Sequence, residues 1–311
     1  MNLGLEIKGQ ATAINQLNAM LRQEQKLAHA FIFIGPAGVG KTRIALALAA
    51  ALLGQPYINH PDLLIPERQG NTIKISEIRS LQEWLSFKPY AAQRKIVIIP
   101  EAHLMTTEAA NALLKTLEDP PGDALLILVA DQESLPLTIV SRCQIVRFKS
   151  LTEEEVYSIL VTEGIEEERA KLLAVVCGGS PGKALVMQEL NITGIVQRVV
   201  SLLCSLGEGD SLAALETAEL IEKDTVQRDT LLTVLEVCLR DALLTETGIT
   251  GRNLIIPVET AEKLGAIGIK GLKKAIMMVN QARRRLAGNA NPLILQTNLF
   301  LQMGEVFKEV I

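Results

Sequence analysis

Continuous apolar runs and helical stripes divide this chain into two regions of different character. Up to about residue 150, short runs apolar on both faces alternate with longer segments of helical period. The runs Ala30-Phe31-Ile32-Phe33-Ile34, Lys95 to Ile99 and Leu125 to Ala130 read as buried strands, with further strands near 62–66 and 145–148. Arg43 to Leu53, rich in Ala and Leu, and Thr107 to Glu118 read as helices between them. Strands alternating with helices predict an α/β fold, a parallel sheet covered on both faces. Any ligand would then sit at the C-terminal ends of the strands.

The pattern changes at residue 151. Thr152-Glu153-Glu154-Glu155 is a capping box, flanked by Leu151 and Val156 as a hydrophobic staple, so a helix starts there. A small helical domain over 151–190 is expected, with a helix from Glu167 to Cys177 leading into Gly178-Gly179. The remainder, 191–311, is helical by period: Val196 to Leu206, Ser211 to Lys223, Val226 to Glu246, Val258 to Ala287 and Pro292 to Glu309. Gly248-Ile249-Thr250-Gly251 interrupts it. In the last helix Leu295, Leu299 and Met303 share one stripe, either core or contact. The expected domains are therefore 1–150, 151–190 and 191–311.

Composition narrows the class. Of 311 residues, 48% are hydrophobic, enough for real cores, and 3% are aromatic, so Ala- and Leu-rich helices dominate. The longest apolar run, Ile44 to Leu53, falls short of the roughly 18 residues that span a bilayer. The start, Met1 to Glu6, lacks a signal pattern, and the scattered Cys143, Cys177, Cys204 and Cys238 form no C-x-x-C pair. A reducing, cytoplasmic setting without a four-cysteine zinc site is expected. His29, His60 and His103 share no metal-ligand spacing. A net charge of −4 gives no basis for a strong independent grip on DNA. Arg283-Arg284-Arg285, the densest basic cluster, reads as a solvated helix face, with a weak DNA contact or a subunit salt bridge as alternatives.

Chemistry concentrates in the first region. Gly35-Pro36-Ala37-Gly38-Val39-Gly40-Lys41-Thr42 matches the complete phosphate-binding loop, G-x-x-x-x-G-K-[ST], between a strand and a helix. Its backbone N–H groups form an anion nest, Lys41 would reach the outer phosphates, and the Thr42 hydroxyl would ligate magnesium. Hydrolysis also needs an acidic pair at the end of a neighbouring strand, and here that place reads Pro100-Glu101. Glu101 can act on a water; Pro100 has no side-chain oxygen for the metal shell. The next strand ends Val129-Ala130-Asp131, so the polar residue expected to face the terminal phosphate is displaced or absent. Two parts that make hydrolysis fast are damaged, and the chain's own ATPase is expected to be absent or very weak.

Several motifs together resemble the bacterial clamp-loader family, AAA+ subunits of DNA polymerase III. They are Ile7-Lys8-Gly9-Gln10, the P-loop, His60-Pro61-Asp62-Leu63, Ala102-His103 with Glu108 to Glu118, and Leu135 to Cys143. Gly178 to Leu185 and Asn289-Ala290-Asn291-Pro292-Leu293 extend the likeness over nearly the whole chain. Within the family it is most similar to the delta-prime type. The resemblance implies a RecA-like domain, a lid over 151–190 and a collar over 191–311 through which subunits form a ring. It also implies that Arg142, in Ser141-Arg142-Cys143, is an arginine finger reaching a neighbour's ATP site, worth about 10³–10⁵ in rate. Gamma/tau and delta subunits would be partners in a hetero-pentamer, acting on a sliding clamp and primed DNA, with this chain as stator.

Departures sharpen the reading. The interval Gly54 to His60 lacks the zinc cysteines common in the family, and Pro181-Gly182-Lys183 lacks the motor subunits' lid arginine, leaving only Lys183 in its place. Weak or absent nucleotide binding follows. A catalytically active gamma/tau-type subunit or other AAA+ ATPase is the alternative, which Pro100 and Ala130 weaken. A nucleotide-binding scaffold outside replication is a third, which Ser141-Arg142-Cys143 opposes.

Overall fold

The structure is a computed structural model and describes residues 8–22, 27–54, 59–68, 70–131, 135–208, 225–249, 253–286 and 291–308. The expected helix Ser211 to Lys223 lies outside the described residues. So do Met1 to Ile7, Asn289-Ala290, Thr250-Gly251 and 55–58 of the interval lacking cysteines. The chain forms two compact units: residues 1–155 with 180–182, and residues 156–179 with 183–311.

The first unit is built on a five-stranded, all-parallel sheet. After helix α1 (Ala11–Leu21) come β1 (Ala30–Ile34), α2 (Lys41–Leu53), β2 (Leu63–Leu64) and α3 (Ile75–Ser86). Then follow β3 (Ile96–Ile99), α4 (Thr107–Glu118), β4 (Leu125–Ala130), α5 (Leu137–Val140) and β5 (Gln144–Arg147). The spatial order is β2-β3-β4-β1-β5, with Ile32 opposite Leu128 on one side and Ile145 on the other. This is the α/β P-loop class that the alternating pattern predicts. β1, β3 and β4 are buried at every position, which is why their sequences run apolar without alternation. Alternate residues Ile32, Val97 and Leu126 pack with Ile78, Leu81, Leu113 and Leu117 of α3 and α4. Phe31, Phe33, Ile98 and Ile127, on the opposite face, are equally buried.

Two polar devices brace this unit. Asp62 is fully buried, and its carboxylate accepts the backbone N–H groups of Tyr90, Ala91 and Ala92 at 2.6–2.8 Å. Burial opposes its ionisation, but the three bonds prevail and hold the carboxyl below its ordinary pKa. Gln10, in a left-handed conformation (φ 56°), donates to the Lys149 carbonyl at 2.5 Å and accepts the Lys149 N–H at 3.1 Å. The capping box forms: Thr152 Oγ1 accepts the Glu155 N–H, and Glu155 accepts the Thr152 N–H.

The second unit contains helices and no strand among its described residues. It takes in most of α6 (Glu153–Thr162), then α7 (Glu167–Val176), α8 (Pro181–Met187) from Lys183 on, and α9 (Ile192–Gly207). α10 (Thr225–Glu246), α11 (Val258–Gly265), α12 (Gly268–Leu286) and α13 (Pro292–Lys308) complete it. α10 packs against α9, α11 and α12, and its Leu231, Leu235, Cys238 and Leu239 are buried. The expected single helix from Val258 to Ala287 is two helices. The first ends at Gly265, and after the turn at Ala266-Ile267 the second opens on Gly268, whose φ of 72° redirects the backbone. At Gly265 a Cβ would lie 3.1 Å from Glu246 Oε2, so α11 and α10 approach closely there. Leu299 and Met303 are core, together with Phe300 and Phe307, while Leu295 is half-buried. Among the described residues no single helix is long and apolar enough to cross a membrane.

Candidate functional site

The C-terminal ends of β1, β3 and β4 lie side by side and carry Lys41, Glu101 and Asp131 on the segments that leave them. β1 feeds directly into Gly35. A Cβ there would sit 2.7 Å from Phe148 Cβ and closer still to the Phe148 carbonyl, so only glycine fits beside the segment leaving β5. Gly38 and Gly40 take φ 72° and 94°, and Gly40 caps the N-terminus of α2. The helix start and its dipole therefore face the loop, the arrangement that binds phosphate. Thr42 stands in the first turn, half-buried.

Lys41 is buried, 5% exposed, and its ammonium meets three oxygens. They are the carbonyls of Gly35 (2.7 Å) and Pro36 (2.5 Å) and Oδ1 of Asp131 (2.7 Å). All three of its protons thus have acceptors. Asp131, one residue past β4, is held in turn: its backbone N–H donates to His103 Nδ1 at 3.2 Å. The polar residue that the sequence places as displaced or absent beyond β4 is in direct contact with the loop lysine.

At the end of β3, Pro100 leads into Glu101, which adopts a left-handed backbone (φ 47°, ψ 39°). For a residue with a Cβ this conformation costs about 1–3 kcal/mol. Glu101 Oε2 pairs with Arg68 at 2.7 Å. This partner, far earlier in the chain, is another residue the sequence gives no signal for. The donor set tests the magnesium expectation: Thr42 supplies one oxygen, and position 100 supplies none.

A further segment meets the loop. Ser180 Oγ donates to the Ala37 carbonyl at 2.8 Å, and the Gly182 N–H donates to the Gly38 carbonyl at 2.9 Å. A Cβ on Gly182 would lie 2.8 Å from Gly38 Cα and 3.0 Å from its oxygen. Backbone therefore packs on backbone there, and position 182 has no room for a side chain.

Arg142 follows α5. Its Nε and one terminal nitrogen donate to Glu118 Oε1 at 2.9 and 2.5 Å, and the other terminal nitrogen donates to the Thr138 carbonyl at 2.8 Å. These bonds hold the guanidinium at the C-terminal end of α4, with its side chain 34% exposed, rather than on its own chain's loop. The neighbouring Cys143 thiol is pushed up to about 12 by burial. The structure thus brings Lys41, Asp131 and the 180–182 segment together, and holds Glu101 and Arg142 by separate ion pairs.

Comparison with known proteins adds the family context. Residues 9–152 match the family described as "DNA polymerase III, delta subunit". DNA polymerase III subunit delta' of Bacillus subtilis is 34% identical over 169 residues, covering 49% of this chain and 51% of that protein. The delta' subunit of Pseudomonas aeruginosa is 32% identical over 188 residues, 54% of this chain and 57% of that one. The tau subunit of Bacillus subtilis is 31% identical over 216 residues, 61% of this chain and 38% of that one. The chain thus spans about half the length of the delta' relatives and less of tau. A gamma-subunit-related protein from Thermotoga maritima shares the fold, with a TM-score of 0.54 and 23% identity over 94% of this chain and 99% of that one.

Proposed function

We propose that this chain, similar to the delta-prime and tau/gamma subunits of DNA polymerase III, is a delta-prime-like, non-motor subunit of a clamp loader. In this reading residues 1–150 are a P-loop domain used as a scaffold. Residues 151–190 are its lid, and residues 191–311 are the collar that joins the ring. Tau/gamma- and delta-type subunits are its partners, and the ring loads a sliding clamp on primed DNA.

The observation that carries the reading is the state of the loop lysine. Its three donors are committed to Gly35, Pro36 and Asp131, and the adjoining strand offers a metal only Pro100. A motor ATPase needs that lysine for the outer phosphates and an acidic pair at that strand end, of which only Glu101 is present. Nucleotide binding is accordingly weak or absent, with no turnover by the chain alone. Arg142 acts in trans. Glu118 holds it in the isolated chain, and a neighbour's phosphates are the stronger anion once the ring forms.

Reconstitution with tau/gamma and delta partners tests this. Arg142→Ala should leave assembly intact and lower DNA-stimulated ATPase of the ring by roughly tenfold or more. Normal assembly with unchanged turnover would refute the trans role. The complete P-loop, with tau relatives as close as delta', supports a second reading, an active motor subunit. Magnesium-dependent turnover by the purified chain that disappears on Lys41→Ala would establish that reading instead.

A further inference from the structure

The chain has more acidic than basic residues, yet α12 (Gly268–Leu286) carries three lysines and three arginines with no carboxylate. Its buried side is apolar: Leu272, Ala275, Val279 and Ala282 face the core of the helical unit. The opposite side is solvent-facing at Lys270, Lys273, Lys274, Met277, Gln281 and Arg284. Spacings of three and four link these positions into a single stripe along the helix. Arg283 lies off this stripe and is spent inside the unit, pairing with Glu236 at 2.9 Å. An open groove of about 760 Å³ runs along the stripe, and four cations line it: Lys270, Lys273, Lys274 and Arg284.

We propose that this face of α12 binds the phosphate backbone of duplex DNA, a contact separate from the P-loop and Arg142. The stripe's length fits. The helix rises about 21 Å from Lys270 to Arg284, over which one duplex strand presents about six phosphates. The chemistry of the lining fits as well. Its polar groups are nearly all donors (lysine, arginine, and the amides of Asn280 and Gln281), the groups that contact phosphate and sugar. No aromatic ring lines the groove, so there is no platform on which unpaired bases stack. No lining residue is acidic, so a polyanion meets no like charge there. An acidic protein segment would call for a central apolar anchor pocket. Here the exposed apolar groups are isolated, Met277 in the groove and Ile269 beside it. The expected contact is sequence-blind, weak and steeply dependent on salt, in keeping with the overall net charge of −4.

The test is fluorescence anisotropy of a labelled 20-base-pair duplex with the full chain, over a salt series. Four neutralised phosphates give a slope of log K against log salt of about −3.6, or roughly a hundredfold loss of affinity between 50 and 200 mM. Lys270→Glu/Lys273→Glu/Arg284→Glu should weaken binding about tenfold or more at 50 mM and flatten the slope to about −1. A control with the same charge change at the exposed Arg79, Lys171 and Arg198 should behave as wild type. If the reversed variant fails to fold by circular dichroism, the Gln triple replaces it with the same expectation. Unchanged binding in the stripe variant, or equal loss in the control, overturns the proposal. Displacement of the duplex by poly-glutamate at matched charge concentration also overturns it, assigning the face to an acidic protein. Each of these outcomes leaves the clamp-loader reading standing.

Discussion

Replacing Asp131 by Asn should tighten nucleotide binding at the P-loop. The Lys41 ammonium is saturated by two carbonyls and one carboxylate, all within 2.7 Å. A β-phosphate entering the loop must displace one of them, and the carboxylate is also the one that repels it. A hydrogen bond between charged groups contributes about 1.5–3 kcal/mol. With Lys41 5% and Asp131 35% exposed, water screens one partner, which places this pair in the lower half of that range. Taking about 1.5–2 kcal/mol, Asp131→Asn should strengthen ADP binding by roughly 10- to 30-fold. Asn keeps the size of the side chain, and the bond to His103 runs through the backbone and survives. The assay is titration of a fluorescent ADP analogue by anisotropy, with Lys41→Ala as the control that abolishes binding. Equal or weaker binding by Asp131→Asn would show that Asp131 is part of the phosphate cradle rather than its competitor.

Asp62→Ala removes the buried carboxylate that accepts the N–H groups of Tyr90, Ala91 and Ala92, and should lower unfolding stability by about 1.5–3 kcal/mol in a urea titration, since water can reach the freed donors on this partly exposed segment. Because the folded-state pKa of Asp62 is depressed, its contribution is present above the unfolded value near 4 and is lost as pH falls through the lower folded value. The wild type should therefore converge on the Ala variant only in strong acid, and an equal gap at every pH would contradict this account. Cys143, half-buried and raised to about 12, should react with disulfide-exchange reagents at pH 8 more slowly in the folded than in the unfolded chain, as read by peptide mapping; equal rates would contradict the raised value. Its contribution to stability is present below about pH 9, the unfolded thiol value, and falls as pH rises toward 12. Gly182→Ala drives a Cβ to 2.8 Å from Gly38 Cα and should cost about 1–3 kcal/mol, with loss of hydrogen-exchange protection at the residue 182 amide. Full protection in that variant would mean that the two segments do not pack as described.

The architecture is legible in the sequence because it rests on local pattern. β1, β3 and β4 are buried on both faces, so their sequences run apolar for four to six residues and stand out. The P-loop is equally visible, since its glycines answer to backbone geometry within one short segment. What stays hidden depends on distant partners. The Lys41–Asp131 pair joins residues 90 positions apart, and Arg68, in the segment after β2, meets Glu101, just past β3. Nothing in Val129-Ala130-Asp131 indicates that the carboxylate turns back to the loop. The break between α11 and α12 is equally hidden, because the apolar period continues through it while Gly268 alone changes the backbone's hand.

The contact between Gly38 and Gly182 has an evolutionary consequence. The two glycines constrain each other: one supplies a left-handed turn, and the other supplies the bare backbone that nests against it. An arginine at position 182 cannot be gained by one substitution, since its Cβ would strike main-chain atoms that have no rotamer to escape into. A lineage that has reached this packing must first separate the two segments, losing the Ser180 and Gly182 hydrogen bonds, before a side chain could be accommodated there. The glycine at 182 is in that sense a ratchet. Once the backbone has closed over the position, the way back passes through a less stable intermediate.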